Sequence, residues 1–195
     1  MRRARAERTT RESSISLELD LDGEGTTSIA TGLPFLDHML DAWAHHARFD
    51  LELRAEGDLE VDDHHTVEDV ALTLGGAFAD ALGDFGGIAR FGEGFAPLDE
   101  ALARAVVDLS GRPTAVVELG LRRERLGTVA CENLSHFFVS FASTAKLTLH
   151  LDLLRGENDH HRAEAAFKAF ALACRRATRP ASGGVRSTKG ALVTP

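Results

Sequence analysis

The chain has 195 residues, 44% of them hydrophobic and 27% charged, with a formal net charge of −8. That balance fits one well-buried globular domain, or two small halves sharing a core. The acidic charge argues against nucleic acid or an anionic membrane surface as the main partner, and the two cysteines, Cys131 and Cys174, sit in no metal or redox spacing, which suggests no disulfide framework and makes a reducing cytoplasm the simplest setting.

The start, MRRARAER, is basic but no apolar run follows it, so it does not read as a secretory signal. No apolar stretch approaches the roughly 20 residues of a membrane span. Ile15, Leu17, Leu19 and Leu21 alternate along a strand that ends at the Asp22-Gly23 turn, and Thr26 to Thr31 returns as its hairpin partner. A helix from about Pro34 to His46 buries Phe35, Met39, Leu40 and Trp43 and leaves His38 on another face. Phe49 to Leu53 is a strand. A long helix follows from about Thr66 to Leu82, with Val67, Val70, Ala71, Leu74 and Phe78 inward. Gly83 to Gly94 reads as a glycine-rich join. Beyond it, strands are predicted at about 102–109, 113–119 and 146–151, and helices at about 130–143 and 160–177. The tail from Pro180 reads as irregular and mobile unless something binds it.

The second half repeats the first. His64-His65-x-x-Glu68 recurs as His160-His161-x-x-Glu164, 96 residues on and again preceded by an aspartate. Leu36–Leu40 matches Leu134–Phe138, and Ala47–Leu53 matches Ala145–Leu151, both at an offset of 98. A fainter match at an offset of 88 pairs Leu21-Asp22-Gly23 with Leu109-Ser110-Gly111 and Glu12 with Glu100.

On a helix, a histidine and a glutamate four apart share a face and can grip one ion. The adjacent histidine points roughly 100° away, so each motif serves two metals. His38 and His136 hold equivalent places in the two halves, which gives eight ligands. The pseudo-symmetry divides them into His64, Glu68, His136 and His161, mirrored by His160, Glu164, His38 and His65. Imidazole and carboxylate without thiolate suit Mn²⁺, Fe²⁺, Co²⁺, Ni²⁺ or Zn²⁺. Four protein ligands leave room for substrate on a six-coordinate ion, which favours Mn²⁺ over tetrahedral Zn²⁺. Asp63 and Asp69, or Asp159, are candidates to orient the imidazoles. Arg90, Arg112, Lys189 and Ser187 could hold a phosphate, although each alone reads as an ordinary polar residue. His45 and His46 sit at a helix end, and Glu12 lies in an unremarkable polar run.

The segments FLDHML, DDHHTVEDVAL, APLDEAL, DLSGRP, ENLSHFF, NDHHRAEAAFKAFA and STKG, in that order, resemble the imidazoleglycerol-phosphate dehydratase family across essentially the whole chain. The resemblance implies an α+β fold of two tandem halves, each about βββαβα and similar to the second domain of ribosomal protein S5, with sheets packed against helices. The halves fall at residues 1–86 and 87–180, with a tail at 181–195 that adds to a phosphate pocket; together they form one compact unit. The implied reaction is the dehydration of D-erythro-imidazole-glycerol phosphate to imidazole-acetol phosphate in histidine biosynthesis, with two Mn²⁺ ions per active site. Glu12 resembles the family's acid/base beside the reacting carbons, His46 a substrate-contacting histidine, and Arg90, Arg112, Ser187 and Lys189 the phosphate pocket. A homo-oligomer of 24 subunits with sites between subunits is implied as well, in the cytoplasm. Departures are local: Ala47 stands where the family has glycine, Arg11 where lysine is common, and STKG replaces SSKG. Because the substrate proton to be removed is not next to a carbonyl, the imidazole ring has to act as electron sink, through an imidazolate and a diazafulvene-type intermediate. Two other readings remain open on the residues alone, a dinuclear metallohydrolase and a non-catalytic metal-organised shell protein.

Overall fold

Period-two alternation builds the strands. In Ser13–Asp20 (β2), Ile15, Leu17 and Leu19 are buried while Ser14, Ser16 and Glu18 face solvent, so one face meets the core. The computed structural model describes residues 2–182. The predicted roles of Ser187 and Lys189 therefore lie outside the described residues. The first half runs β1 (Arg3–Thr9), β2, β3 (Thr27–Ala30), α1 (Pro34–Ala47), β4 (Asp50–Gly57) and α2 (His64–Leu82). The second runs β5 (Phe91–Leu98), β6 (Ala101–Asp108), β7 (Thr114–Glu118), a small hairpin β8 (Arg125–Leu126) and β9 (Val129–Ala130), α3 (Cys131–Thr144), β10 (Thr148–Arg155) and α4 (Asp159–Ala177). The sheets are ordered β1-β2-β4-β3 and β5-β6-β10-β7, the same topology twice in one α+β fold.

Three local expectations need correction. Thr26–Thr31 does not fold back on β2; β3 pairs parallel with β4 at the far edge of the sheet. Asp50 steers this crossing, because its Oδ1 accepts the backbone N–H groups of Glu24, Gly25 and Thr26 at 2.8–3.0 Å, and β2 is already paired on both sides by β1 and β4. The expected glycine-rich join ends early, since Phe91–Leu98 is an edge strand. Gly92 and Gly94 lie on its inner face against α4, where a Cβ would meet the carbonyl oxygens of Ala173 and Ala169 at 2.1 and 2.0 Å. Phe35 is only half-buried, its ring set against those of His38 and His160.

The two sheets are the outer layers and the four helices lie between them, α1 packing on α4 and α2 on α3. Each helix pair therefore joins one half to the other. Their contact is aromatic: Trp43 of α1 lies 5.7 Å from Phe141 of α3 and 6.3 Å from Phe170 of α4, and Phe78 of α2 lies 5.6 Å from Phe141. All four rings are buried, making one core shared by both halves. Among the described residues no helix is long and apolar enough to cross a membrane.

Candidate functional site

The crosswise helix pairing brings His38 and His136 to the two repeated motifs. The second motif opens its helix under the N-cap Asn158, whose Oδ1 accepts the His160 N–H at 2.9 Å, and ahead of the first motif Asp62 Oδ1 accepts the His64 N–H at 2.8 Å. At the α2–α3 contact, Glu68 Oε1 lies 3.2 Å from His136 Nε2 and Oε2 lies 3.7 Å from His64 Nε2. At the α1–α4 contact, Glu164 Oε2 lies 3.1 Å from His38 Nε2 and 3.2 Å from His160 Nε2. Within each group the three ligand atoms lie within 4.8 Å of one another. Donors on an ion with bonds of about 2.1 Å stand roughly 3–4 Å apart, so each trio fits a divalent cation after a small contraction.

The first centre has a built orientation. His64 Nδ1 lies 3.0 Å from Asn133 Oδ1, and Asn133 Nδ2 donates to Asp63 Oδ2 at 2.9 Å. Asp63, only 3% exposed, also accepts from the Ala130 N–H and from Arg125. With Nδ1–H committed to the amide, His64 presents Nε2 to the centre. Asp63 thus orients an imidazole as expected, but through an asparagine that no sequence signal marked. Asp69 and Asp159 do not. Asp69 binds Arg8 and Ser13, and Asp159 accepts the backbone N–H groups of Arg122 and Arg123.

Within the chain each centre gathers three of the four ligands of the proposed division, and His65 and His161 stand outside both trios. Their rings are aimed outward by carboxylates. His65 Nδ1 lies 3.0 Å from Asp58 and His161 Nδ1 lies 2.8 Å from Glu100, which leaves both Nε2 atoms facing away. The hydrogen bond that His65 donates to the Asp58 carboxylate raises the His65 pKa, and the bond from His161 to Glu100 does the same for His161. The Asn158 backbone N–H, then His161 and the Glu157 N–H, hold Glu100 down to about 2. Asp58 escaped the sequence reading because its counterpart at the 96-residue offset, Leu154, is chemically unlike it; Glu100 was visible only as a match to Glu12.

Glu12 sits in the β1–β2 turn, exposed, with Oε2 3.8 Å from His65 Nε2. His46 is half-buried on α1, and burial followed by the Lys168 charge lowers its pKa. Lys168, unmarked in the sequence, places Nζ 2.6 Å from Glu164 Oε1. Burial opposes ionisation of Glu164, yet Lys168 and His38 outweigh it and hold the carboxyl below its ordinary value. Arg90 lies at the other end of α4. Its backbone N–H bonds the Ala177 carbonyl, and its guanidinium pairs with Asp108 at 2.7 and 3.1 Å. At 1.5 Å per residue, the run from Glu164 to Ala177 puts it about 20 Å from the chain's own second centre. Arg112 is exposed just before β7, beside the same end of the sheet.

The family model described as imidazoleglycerol-phosphate dehydratase matches residues 31–174. Relatives carrying that name are 53% identical in Aromatoleum aromaticum, over 98% of this chain and 100% of that protein, and 53% identical in Candida glabrata, over 95% and 97%. A longer relative from Phytophthora nicotianae is 57% identical over 98% of this chain, which spans 43% of that protein. The crystal structure of imidazoleglycerol-phosphate dehydratase from Staphylococcus aureus superposes with a TM-score of 0.83 at 36% identity, covering 91% of this chain and 99% of that one. The Pyrococcus furiosus structure gives the same TM-score at 37% identity, covering 95% and 99%. The chain belongs to the imidazoleglycerol-phosphate dehydratase family of hydro-lyases, the dehydratases of histidine biosynthesis.

Proposed function

We propose that the two imidazole–carboxylate trios each hold a Mn²⁺ ion, and that between them this chain dehydrates imidazole-glycerol phosphate to imidazole-acetol phosphate. The observation that carries this reading is the convergence of His64, Glu68 and His136, and of His38, His160 and Glu164, each within 4.8 Å. Held by His64, Glu68 and His136 and by His38, His160 and Glu164, such ions would supply the Lewis acidity that lets a substrate imidazole serve as an electron sink. Glu12 moves the proton at the neighbouring carbons, a contribution of about 10²–10⁴-fold for a positioned acid/base. Arg90 and Arg112 take the phosphate and, with Ser187 and Lys189, fix the three-carbon chain; His46 contacts the substrate.

The site is completed between copies of the chain, in a homo-oligomer we take to be of 24 subunits in the cytoplasm. Three features support this. His65 and His161 present Nε2 away from their own centres, each backed by a carboxylate as a ligating imidazole is. Arg90 lies at the wrong end of α4 to serve its own chain's second centre. The outer face of the second sheet exposes Phe91, Phe95, Val106 and Val116, apolar area of the kind that marks protein–protein contact. The deciding experiment incubates Mn²⁺-loaded protein with imidazole-glycerol phosphate and measures the ketone. Glu12→Gln abolishes turnover while metal content and assembly stay intact; a full rate in that variant refutes the role of Glu12, and no ketone from the parent protein refutes the reading.

A further inference from the structure

The internal repeat relates the two centres, but their surroundings differ at two positions that act on the metal. Asn133, which accepts from His64 Nδ1–H, has Phe35 as its counterpart at the 98-residue offset. Phe35 packs T-shaped against His160 with ring centroids 5.3 Å apart, and a phenyl ring offers no oxygen or nitrogen acceptor to an imidazole N–H. Lys168, 2.6 Å from Glu164 Oε1, has Leu72 as its counterpart at the 96-residue offset. Among the described residues Glu68 pairs with no lysine or arginine; its two oxygens face His136 and His64 respectively. Glu164 gives Oε2 to both imidazoles and surrenders Oε1 to the ammonium.

Each difference pushes the same way. A buried amide–carboxylate relay behind an imidazole fixes its tautomer and strengthens it as a donor, and His64 has one through Asn133 and Asp63. An ammonium on the back of a ligating carboxylate draws off its charge, restricts it to one oxygen, and repels a divalent ion nearby. Ser140 Oγ, 3.3 Å from His136 Nε2, is a rotor that an ion displaces and does not reverse this order. We propose that the two metal sites are thermodynamically distinct: the His64–Glu68–His136 centre fills first, and the His38–His160–Glu164 centre holds a weaker, exchangeable ion, with Lys168 setting much of the difference. This rests on the metal reading above.

The test titrates metal-stripped full-length protein with Mn²⁺, following free aquo-Mn²⁺ by electron paramagnetic resonance and heat by calorimetry. Two equal classes of sites are expected, differing by about tenfold or more, the size of effect such supporting contacts have on metal affinity. Lys168→Met and Lys168→Gln both tighten the weak class about tenfold and leave the stoichiometry unchanged. Asn133→Leu weakens the tight class about 10–100-fold. One uniform class in the parent protein, or two classes that neither Lys168 variant moves, overturns the proposal. Binding that survives His64→Ala and His160→Ala together overturns the metal reading itself.

Discussion

Gly75 and Gly76 are neighbours on α2, and the same substitution should move them in opposite directions. A Cβ on Gly75 would lie 2.4 Å from the Phe141 carbonyl oxygen and 2.4 Å from Thr144 Oγ1, with Ala145 N at 3.1 Å. The carbonyl is α3 backbone, so relief requires the helices to part by roughly 1 Å to reach ordinary contact. Thr144 is also tied, donating to the Leu72 carbonyl at 2.8 Å. Replacing glycine by alanine inside a helix gains about 1 kcal/mol, whereas overpacking costs about 1–3 kcal/mol or more, and a rigid backbone partner puts Gly75 at the upper end. Overpacking wins, about 3 kcal/mol against about 1, so Gly75→Ala loses about 2 kcal/mol net. At about 2–4 °C per kcal/mol for a chain of this size, Tm falls by roughly 4–8 °C. A Cβ on Gly76 meets nothing within 4 Å, so Gly76→Ala raises Tm by about 2–4 °C. Thermal unfolding followed by circular dichroism, in one buffer at one protein concentration, measures both. Gly75→Ala melting at or above the parent, or Gly76→Ala falling with it, refutes the helix-contact argument. Because α2 carries Glu68 and α3 carries His136, now 3.2 Å apart, Gly75→Ala also weakens metal binding at the first centre.

Asp159→Ala strands two backbone N–H groups and the buried Arg162, costing about 3–5 kcal/mol as the breaking of a buried pair does; an unchanged urea midpoint would count against it. The backbone N–H of Thr26, with those of Glu24 and Gly25, holds the Asp50 carboxyl below its ordinary value. Its contribution is therefore fully present above the ordinary carboxylate pKa near 4 and is lost as pH falls through the depressed one. Asp50→Ala should flatten that acid limb of a urea-unfolding pH series, and a limb as steep as the parent's would reject the mechanism. Burial raises the pKa of both Cys131 and Cys174, so neither thiol reacts quickly with a disulfide reagent in the native protein, and two react on denaturation. Rapid native labelling would contradict the packing.

The ligand trios were legible because a helix imposes its period on them: His64 with Glu68, and His160 with Glu164, need only i,i+4 spacing. The repeat offset then selects His136 and His38. Of the edge strands, β3 and β7 were legible, but β1 and β5 were not, for a packing reason. Strand β1 turns only Ala4 and Ala6 toward the core, and β5 turns Gly92, Gly94 and Ala96 toward it. Where a helix backbone presses on a strand, small residues replace the Val, Ile and Leu that signal alternation, so the pattern vanishes where contact is closest. The orienting groups escaped for a different reason. Asn133, Asp58 and Lys168 each have a chemically unlike partner at the repeat offset, and a search for symmetry passes over them.

The shift from the 88-residue to the 98-residue offset has a physical location. In the first half β3 reaches α1 through residues 31–33; in the second, β7 reaches α3 through residues 119–130, which include the β8–β9 hairpin. That longer connection is tied to both motif helices. Asp63, just before His64, takes the Ala130 N–H and Arg125, and Asp159, just before His160, takes the N–H groups of Arg122 and Arg123. The aspartates before the two histidine pairs thus do in fact act alike, by gripping one loop rather than by each orienting a metal ligand. Since each ligand trio also spans two helices from different halves, neither centre can form until the halves have docked. An ion bound only by the docked state stabilises it by about 2.7 kcal/mol at a concentration one hundred times its Kd. On the proposed reading, metal is then a third clamp across the same seam that the aromatic core and the 119–130 loop already hold.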